Sequence, residues 1–336
     1  MARLLLEKHN SNSLNLKAIV VRKRSNNDLH KRASLLRRDS IHGQFKGTIS
    51  VDEENEAIIA NGKFIKIIYE TNEELFIDFS RYGVSYATLI DNTGKNRDID
   101  TLSNHLRCKG INRVIVTAPT DSSIKNIVFG VNHNLITRND KIISAASCTT
   151  NAIVPILNAI HNKFGIKAGH IETIHSYTND QNLLDNYHKK DRRGRSAVTN
   201  MVITETGAAE AIKSILPELN GKITGSAIRV PTADVSIAVL SLSLNSISSR
   251  EEINEYVRLV SNSESLQEQI DFTNSTEVVS SDFIGSQTAG IFDAQATIVS
   301  DSQIVLYVWY DNEMGYSSQV LRIASKVAGI HYLNIQ

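Results

Sequence analysis

Residues 141–165 read KIISAASCTTNAIVPILNAIHNKFG. The short apolar run ending in small and hydroxyl residues predicts a buried parallel strand, and NAIVPILNAIHNKFG behind it has the period of an amphipathic helix. A strand that passes straight into a helix is the unit of an α/β fold, whose ligands sit at the carboxyl ends of the strands. Cys148 stands at this junction, where Ser147 and Thr149 can cap the first helical N–H groups. The positive end of the helix dipole there is expected to favour the thiolate, the reactive form of a cysteine.

Working toward the N-terminus, YATLIDNTG and RVIVTAPT are further apolar runs with small or hydroxyl endings, and LKAIVV at 16–21 is another, followed by the basic turn RKRSNND and a helical NDLHKRASLLRRD. This alternation predicts a doubly wound, Rossmann-like parallel sheet. Residues 1–9 read as a helix, because Leu4, Leu5 and Leu6 sit among charges without alternation. The stretch from Ile41 to Glu70 alternates with turn signals at EEN and ANG and reads as a β-rich insertion. A dinucleotide fold opens with a strand and G-x-G-x-x-G, which this sequence lacks.

Toward the C-terminus, HIETIHSYT, SIAVLSLSL and IVLYVWY read as strands, which predicts an α+β catalytic domain with an antiparallel sheet. The expected division is a nucleotide-binding domain over 1–147, completed by a C-terminal helix over 313–336, and a catalytic domain over 148–312. The long stretch NDQNLLDNYHKKDRRGRSA has little periodicity, and loops of that length in compact domains are functional or interfacial. His175, at the end of HIETIH, is the candidate base for Cys148.

Composition sets the outer bounds. At 336 residues the chain exceeds what one core fills, so two domains are expected. Lys+Arg 36 balances Asp+Glu 36, so net charge calls for no polyanionic partner. The segment Lys17 to Arg38 is basic, with eight Lys or Arg against one acid. No run approaches the length of a membrane span, the N-terminus meets charge too early for a signal peptide, and two cysteines argue against a disulfide framework. A cytoplasmic protein is expected, with no metal and no membrane partner. Cys108, without acidic or histidine neighbours, reads as structural.

ASCTTNAIVPIL, HSYTNDQ, TGAAEAI, IRVPTADVS and WYDNEMGYS occur in that order, and in them the chain resembles the phosphorylating glyceraldehyde-3-phosphate dehydrogenases from about residue 1 to its C-terminus. The resemblance implies that Cys148 attacks an aldehyde, that His175 activates it, and that NAD or NADP takes the hydride. It implies that Thr178 and Arg229 hold the substrate's phosphate, that Ser147, Thr149, Thr206 and Gly207 shape an inorganic-phosphate site, and that Arg195 lies near both. Asn312 would orient the nicotinamide amide, and Thr93, Gly94 and Thr117 would contact cofactor at strand ends. A homotetramer acting on a sugar phosphate is implied as well. The alternatives are a relative acting on erythrose 4-phosphate and a non-catalytic binding paralogue.

Two departures from the family pattern stand out. Glu205 occupies a position where the family commonly has Ser, and is expected to weaken anion binding if it points inward. The second strand ends in Arg22, Lys23 and Arg24, where an acid would accept the ribose 2′-hydroxyl; Arg22 is the candidate for a 2′-phosphate. Since the family carries its glycine-rich turn just before a helix like ARLLLEKHN, about ten residues of strand and turn are expected upstream of it. The fold class is thus a doubly wound sheet lacking its first strand.

Overall fold

Helix α1 (Ala2–Glu7) buries Leu4, Leu5 and Leu6 and is closed by an Arg3–Glu7 ion pair. Strand β1 (Ala18–Val21) leads into helix α2 (Asp28–Arg37), followed by β2 (Ile49–Asp52), β3 (Ala57–Ala60) and β4 (Lys63–Tyr69). The computed structural model describes residues 1–7, 14–22, 25–70 and 76–330. The end of the expected first helix, the basic turn at 23–24 and the end of the expected C-terminal helix lie outside these. The stretch read as a β-rich insertion is one only in part. β2 and β3 pair antiparallel, but β4 runs parallel to β1, with Val21 opposite Tyr69. A period of two does not tell a hairpin strand from a parallel neighbour.

The described residues divide into two compact units: Met1–Val116 with Thr137–Ile143 and the residues from Ala324 onward, and Thr117–Ile136 with Ser144–Ile323. Beyond β4 come β5 (Ala87–Asp91), helix α3 (Ile99–Leu106), β6 (Ile111–Val116) and β7 (Ile142–Ser144). Asp98 caps α3, accepting from the Thr101 amide at 2.8 Å. The sheet orders are β1-β4-β3-β2 and, separately, β5-β6-β7. Leaving strand 1 out of the doubly wound order 3-2-1-4-5-6 yields such a pair and triple, β4-β1 and β5-β6-β7. Among the described residues β1 and β5 each pair on one side only. No residue of β1 is buried, while β6, flanked on both sides, buries Val114, Ile115 and Val116 completely.

In the second unit helix α4 (Cys148–Phe164) precedes β8 (Ile166–Ser176), β9 (Val202–Thr204), helix α5 (Ala208–Ile215), β10 (Ile223–Val230) and β11 (Ser236–Leu244). Then follow helix α6 (Arg250–Ser261), β12 (Ile270–Thr273), β13 (Gly290–Asp293), β14 (Ile298–Ser300), β15 (Gln303–Tyr310) and helix α7 (Met314–Val327), whose residues from Ala324 onward belong to the first unit. One sheet runs β9-β10-β8-β11-β15-β13-β12, with β14 also on β15. It is mixed rather than wholly antiparallel, because β8 and β10 run parallel, as do β12 and β13. Ile153, Ile156, Leu157 and Ile160 of α4 share one buried cluster with Leu240, Leu242, Leu306 and Val308 of the sheet. Each such side chain contributes about 1.5–3 kcal/mol on burial. At Gly290 the helix comes so near that a Cβ would meet the Ala152 carbonyl oxygen at 2.7 Å.

Candidate active site

The turn from β7 into α4 is held in a conformation that few residues adopt. Ala146 has φ +55° and is fully buried. Its N–H donates to Ser144 Oγ at 3.0 Å and its carbonyl accepts from Tyr316 Oη at 2.8 Å, so the turn is fixed on both sides. Such strain costs about 1–3 kcal/mol and persists where the surroundings over-determine it. Ser147 is the N-cap of α4, accepting from the Thr150 amide at 3.1 Å. Cys148, the first helical residue, is thereby set at the carboxyl end of a strand and the amino end of a helix.

Its Sγ lies 3.5 Å from His175 Nε2, across 27 residues of chain. His175 is near the end of β8, and the parallel register with β10 sets Arg229 opposite it. Three short distances follow: His175 Nδ1 to the Ser176 carbonyl oxygen, 2.7 Å; Arg229 Nη1 to that oxygen, 2.9 Å; and Nη1 to Nδ1, 2.9 Å. Arginine only donates. With Nδ1–H donating to Ser176, the Nε2 lone pair faces the thiol, as a base requires. With Nδ1 accepting from Arg229, Nε2–H faces the sulfur and would hold a thiolate. Burial first, and then Arg229, pull the His175 pKa down to about 3, so the ring is neutral at rest.

Burial works against the thiolate expected from the helix dipole. Burial raises the Cys148 pKa, and Arg229 and hydrogen bonds at the turn offset this only in part. Desolvation of a charge outweighs a half-charge at a helix end. The arrangement sets the Cys148 sulfur beside the imidazole of His175, with a guanidinium on the far side of the ring.

Thr149 and Thr173 both bond the Tyr310 hydroxyl, at 2.9 and 2.6 Å, and the Tyr310 ring meets His175 edge-on with centroids 6.0 Å apart. Ser176, one residue beyond His175 and on the other face of β8, donates to Asn312 Oδ1 at 2.7 Å; Ser236 does so at 2.8 Å. Two hydroxyls on the carboxamide oxygen orient Asn312 so that its NH2 is the end offered to a ligand. Thr178 follows β8 and accepts from the Gln181 amide through its carbonyl. Thr206 bonds the Ala208 amide at 3.2 Å, and Gly207 is the N-cap of α5.

Arg195 is bonded to Asp185 at 3.1 Å with its side chain mostly exposed. It is Arg193, which the sequence reading passed over, that bonds Asp180 and Thr204 and adds to the positive field lowering His175 and Arg229. DRRGR held both arginines, and only the fold tells them apart. Tyr310 and Ser176 were also missed, although each lies inside a quoted motif. Glu205 points outward: its side chain is 92% exposed and pairs with Lys190 at 3.4 Å.

In the first unit Thr93 and Gly94 form the turn at the end of β5, with Gly94 at φ +66°. Asp91 accepts from the Thr93 amide at 2.7 Å and from Asn96 Nδ2 at 2.8 Å, with His105 Nε2 at 3.0 Å. Although burial opposes it, those bonds hold the Asp91 carboxyl well below the usual range. Arg22 leaves the end of β1 and pairs with Glu70. Thr117 follows β6 directly and falls in the second unit.

Residues 147–312 match the glyceraldehyde 3-phosphate dehydrogenase C-terminal domain, and residues 1–99 match the family's NAD binding domain. The chain belongs to the glyceraldehyde-3-phosphate dehydrogenase family. It is 59% identical over 332 residues to a glyceraldehyde-3-phosphate dehydrogenase-like protein of Pseudomonas aeruginosa (strain UCBPP-PA14), covering 98% of this chain and 72% of that one. The glyceraldehyde-3-phosphate dehydrogenase of Phytophthora infestans is 41% identical over 289 residues, 85% of this chain and 84% of its own. That of Streptococcus pyogenes is 38% identical over 304 residues, 89% and 87% respectively. Membership makes the chain a dehydrogenase-family protein with a nicotinamide dinucleotide as cofactor. In the second unit the Asn312 carboxamide oxygen accepts from Ser176 and Ser236, which leaves its NH2 free to donate; in the first unit, by itself, the Thr93–Gly94 turn is fixed at the carboxyl end of a parallel strand. No helix among the described residues is long and apolar enough to cross a membrane.

Proposed function

We propose that this member of the family oxidises glyceraldehyde 3-phosphate, with inorganic phosphate, to 1,3-bisphosphoglycerate through a cysteine thioester. The observation that carries the reading is the 3.5 Å approach of Cys148 Sγ to His175 Nε2 with Arg229 against the same imidazole. His175 takes the thiol proton as sulfur adds to the aldehyde carbon, forming a hemithioacetal oxyanion. A bound nicotinamide would accept the hydride from that carbon, leaving a thioester. Inorganic phosphate then attacks the thioester carbonyl, and the Cys148 sulfur departs and regains its proton from His175. Covalent catalysis divides one hard oxidation into easier steps.

Anionic groups suit the site. Arg229 and Arg193 are desolvated guanidiniums, and both forks match phosphate geometry. We assign the substrate phosphate to Thr178 and Arg229. Inorganic phosphate goes to Ser147, Thr149, Thr206 and Gly207, with Arg195 turning in from Asp185. Asn312 fixes the nicotinamide amide; Thr93, Gly94 and Thr117 serve the rest of the dinucleotide. In domain terms, residues 1–147 with the C-terminal helix bind nucleotide and 148–312 carry the chemistry. A cytoplasmic homotetramer is our reading of the assembly, supported by Leu183, Leu184, Tyr187 and Met201, exposed at 66%, 73%, 90% and 76%.

The test is NADH or NADPH formation from glyceraldehyde 3-phosphate and phosphate. It is run on this chain beside Cys148→Ser. Turnover, with burst labelling of Cys148 by substrate, is the expected result, and both are lost in the variant. A folded protein without turnover, or with turnover that survives Cys148→Ser, would overturn the reading.

A further inference from the structure

The parallel pair β1 and β4 ends in residues of opposite charge. The ladder closes at Val21 and Tyr69, and the Glu70 amide donates to the Val21 carbonyl at 2.8 Å, so Arg22 and Glu70 leave the two strands side by side. Their side chains meet at 3.1 Å, exposed by 66% and 53%. The base beneath them is rigid. Arg32 Nη2 donates to the Arg22 carbonyl at 2.7 Å, and its Nε is held at 2.5 Å by Asp28, which is only 4% exposed. Lys31 adds another positive charge, bonded to Ser25.

At this place in a doubly wound sheet an acid accepts the ribose 2′-hydroxyl and an arginine meets a 2′-phosphate. Here both stand next to each other, the acid supplied by the neighbouring strand. We propose that Arg22 and Glu70 act as a single selector: Glu70 accepts the 2′-hydroxyl of an unphosphorylated dinucleotide, and Arg22 binds the 2′-phosphate of a phosphorylated one only after releasing Glu70. The inference rests on the reading of the first unit as the nucleotide domain. It adds Glu70, which the sequence at the end of β1 did not reveal. A dianionic 2′-phosphate beside Glu70 is repelled by that carboxylate, and the ion pair must open to admit it, so the selector holds the two nucleotides near parity.

The test is calorimetric titration with NAD and NADP on the wild-type chain and on Glu70→Gln, Arg22→Gln and the double variant, all at exposed positions. Glu70→Gln is expected to tighten NADP by about five- to tenfold and to weaken NAD severalfold, and Arg22→Gln to weaken NADP about tenfold with NAD unchanged. In the double variant the two effects should fail to add, because each substitution also breaks the pair. Binding of both nucleotides with a ratio that neither substitution moves would overturn the selector alone. Absence of binding by either nucleotide would overturn the nucleotide-domain reading and the selector with it.

Discussion

The two units are held together by different means. In the second unit the strands run side by side from β9 to β12 under a helix buried on nearly every face, and the reactive pair is anchored at the strand ends. In the first unit β1 and β5 each have an open side, and what fixes the strand ends is polar: Asp91 with its three donors, and Arg32 on the Arg22 carbonyl. On the proposed function, the chemistry that needs sub-ångström placement is built where packing is continuous. The nucleotide contacts are then left to a framework whose order depends more on hydrogen bonds.

The largest effect that tests this contrast is at His175. His175→Asn should lower turnover by about 10²- to 10⁴-fold, the range for loss of a positioned general base, and should slow alkylation of Cys148. Steady-state rates and iodoacetamide kinetics across pH measure it. A loss below tenfold would mean that the 3.5 Å pair is a packing contact.

Acid should disarm the second unit first. An unfolded histidine takes up a proton near pH 6.5, but His175, its pKa lowered to about 3 chiefly by burial, refuses it. The stability this group contributes is intact above pH 6.5 and is lost as pH falls from 6.5 toward 3, by up to about 5 kcal/mol. Urea midpoints measured down that range should drop, and His175→Gln should flatten the fall. An unchanged slope in the variant would assign the acid limb to other groups.

Core substitutions should separate the two units as well. Leu240 is wholly buried in the large cluster, while Val20 of β1 is 39% exposed. Leu240→Ala should cost about 2–5 kcal/mol and Val20→Ala no more than about 0.5 kcal/mol. Equal costs in chemical denaturation would show that β1 is covered by something beyond its single strand partner.

Much of this was legible in the sequence and some was not, for physical reasons. Apolar runs with small endings located β5, β6, β7 and the start of α4, because strand and helix periods are local properties. The parallel placement of β4 was not legible, since pairing is set by tertiary contacts that leave no local period. Cys148 and His175 were singled out through their motifs, and they lie 3.5 Å apart, but the burial that raises one pKa and lowers the other was not legible. The dipole is visible in a helix start, whereas the burial that outweighs it is a property of the whole unit. The choice between Arg193 and Arg195 rests on where Asp180 and Asp185 lie, which spacing does not give.

In the first unit the polar frame is the target. Asp91→Asn keeps the shape but removes the charge that Thr93, Asn96 and His105 share, and one of those donors then faces another donor. A loss of about 1–3 kcal/mol is expected, the cost of a buried group left unsatisfied, and it should appear as weaker nucleotide binding with little change in Cys148 labelling. If labelling falls as much as binding, the two units are not independent in the way the contrast requires.

The smallest expected effect is at Glu205. From sequence this carboxylate stood to repel inorganic phosphate, but its side chain is 92% exposed and turned to Lys190. An exposed pair contributes little, and solvent screens a charge that points away from the site. Glu205→Ser should therefore change the phosphate KM by less than about twofold, within what a surface charge does at ordinary ionic strength. Phosphate titrations at low and physiological salt decide it. A severalfold fall in KM at both would mean that Glu205 swings inward during turnover and that the α5 end of the site rearranges. A fall at low salt alone would leave the outward placement standing, with only long-range repulsion to account for.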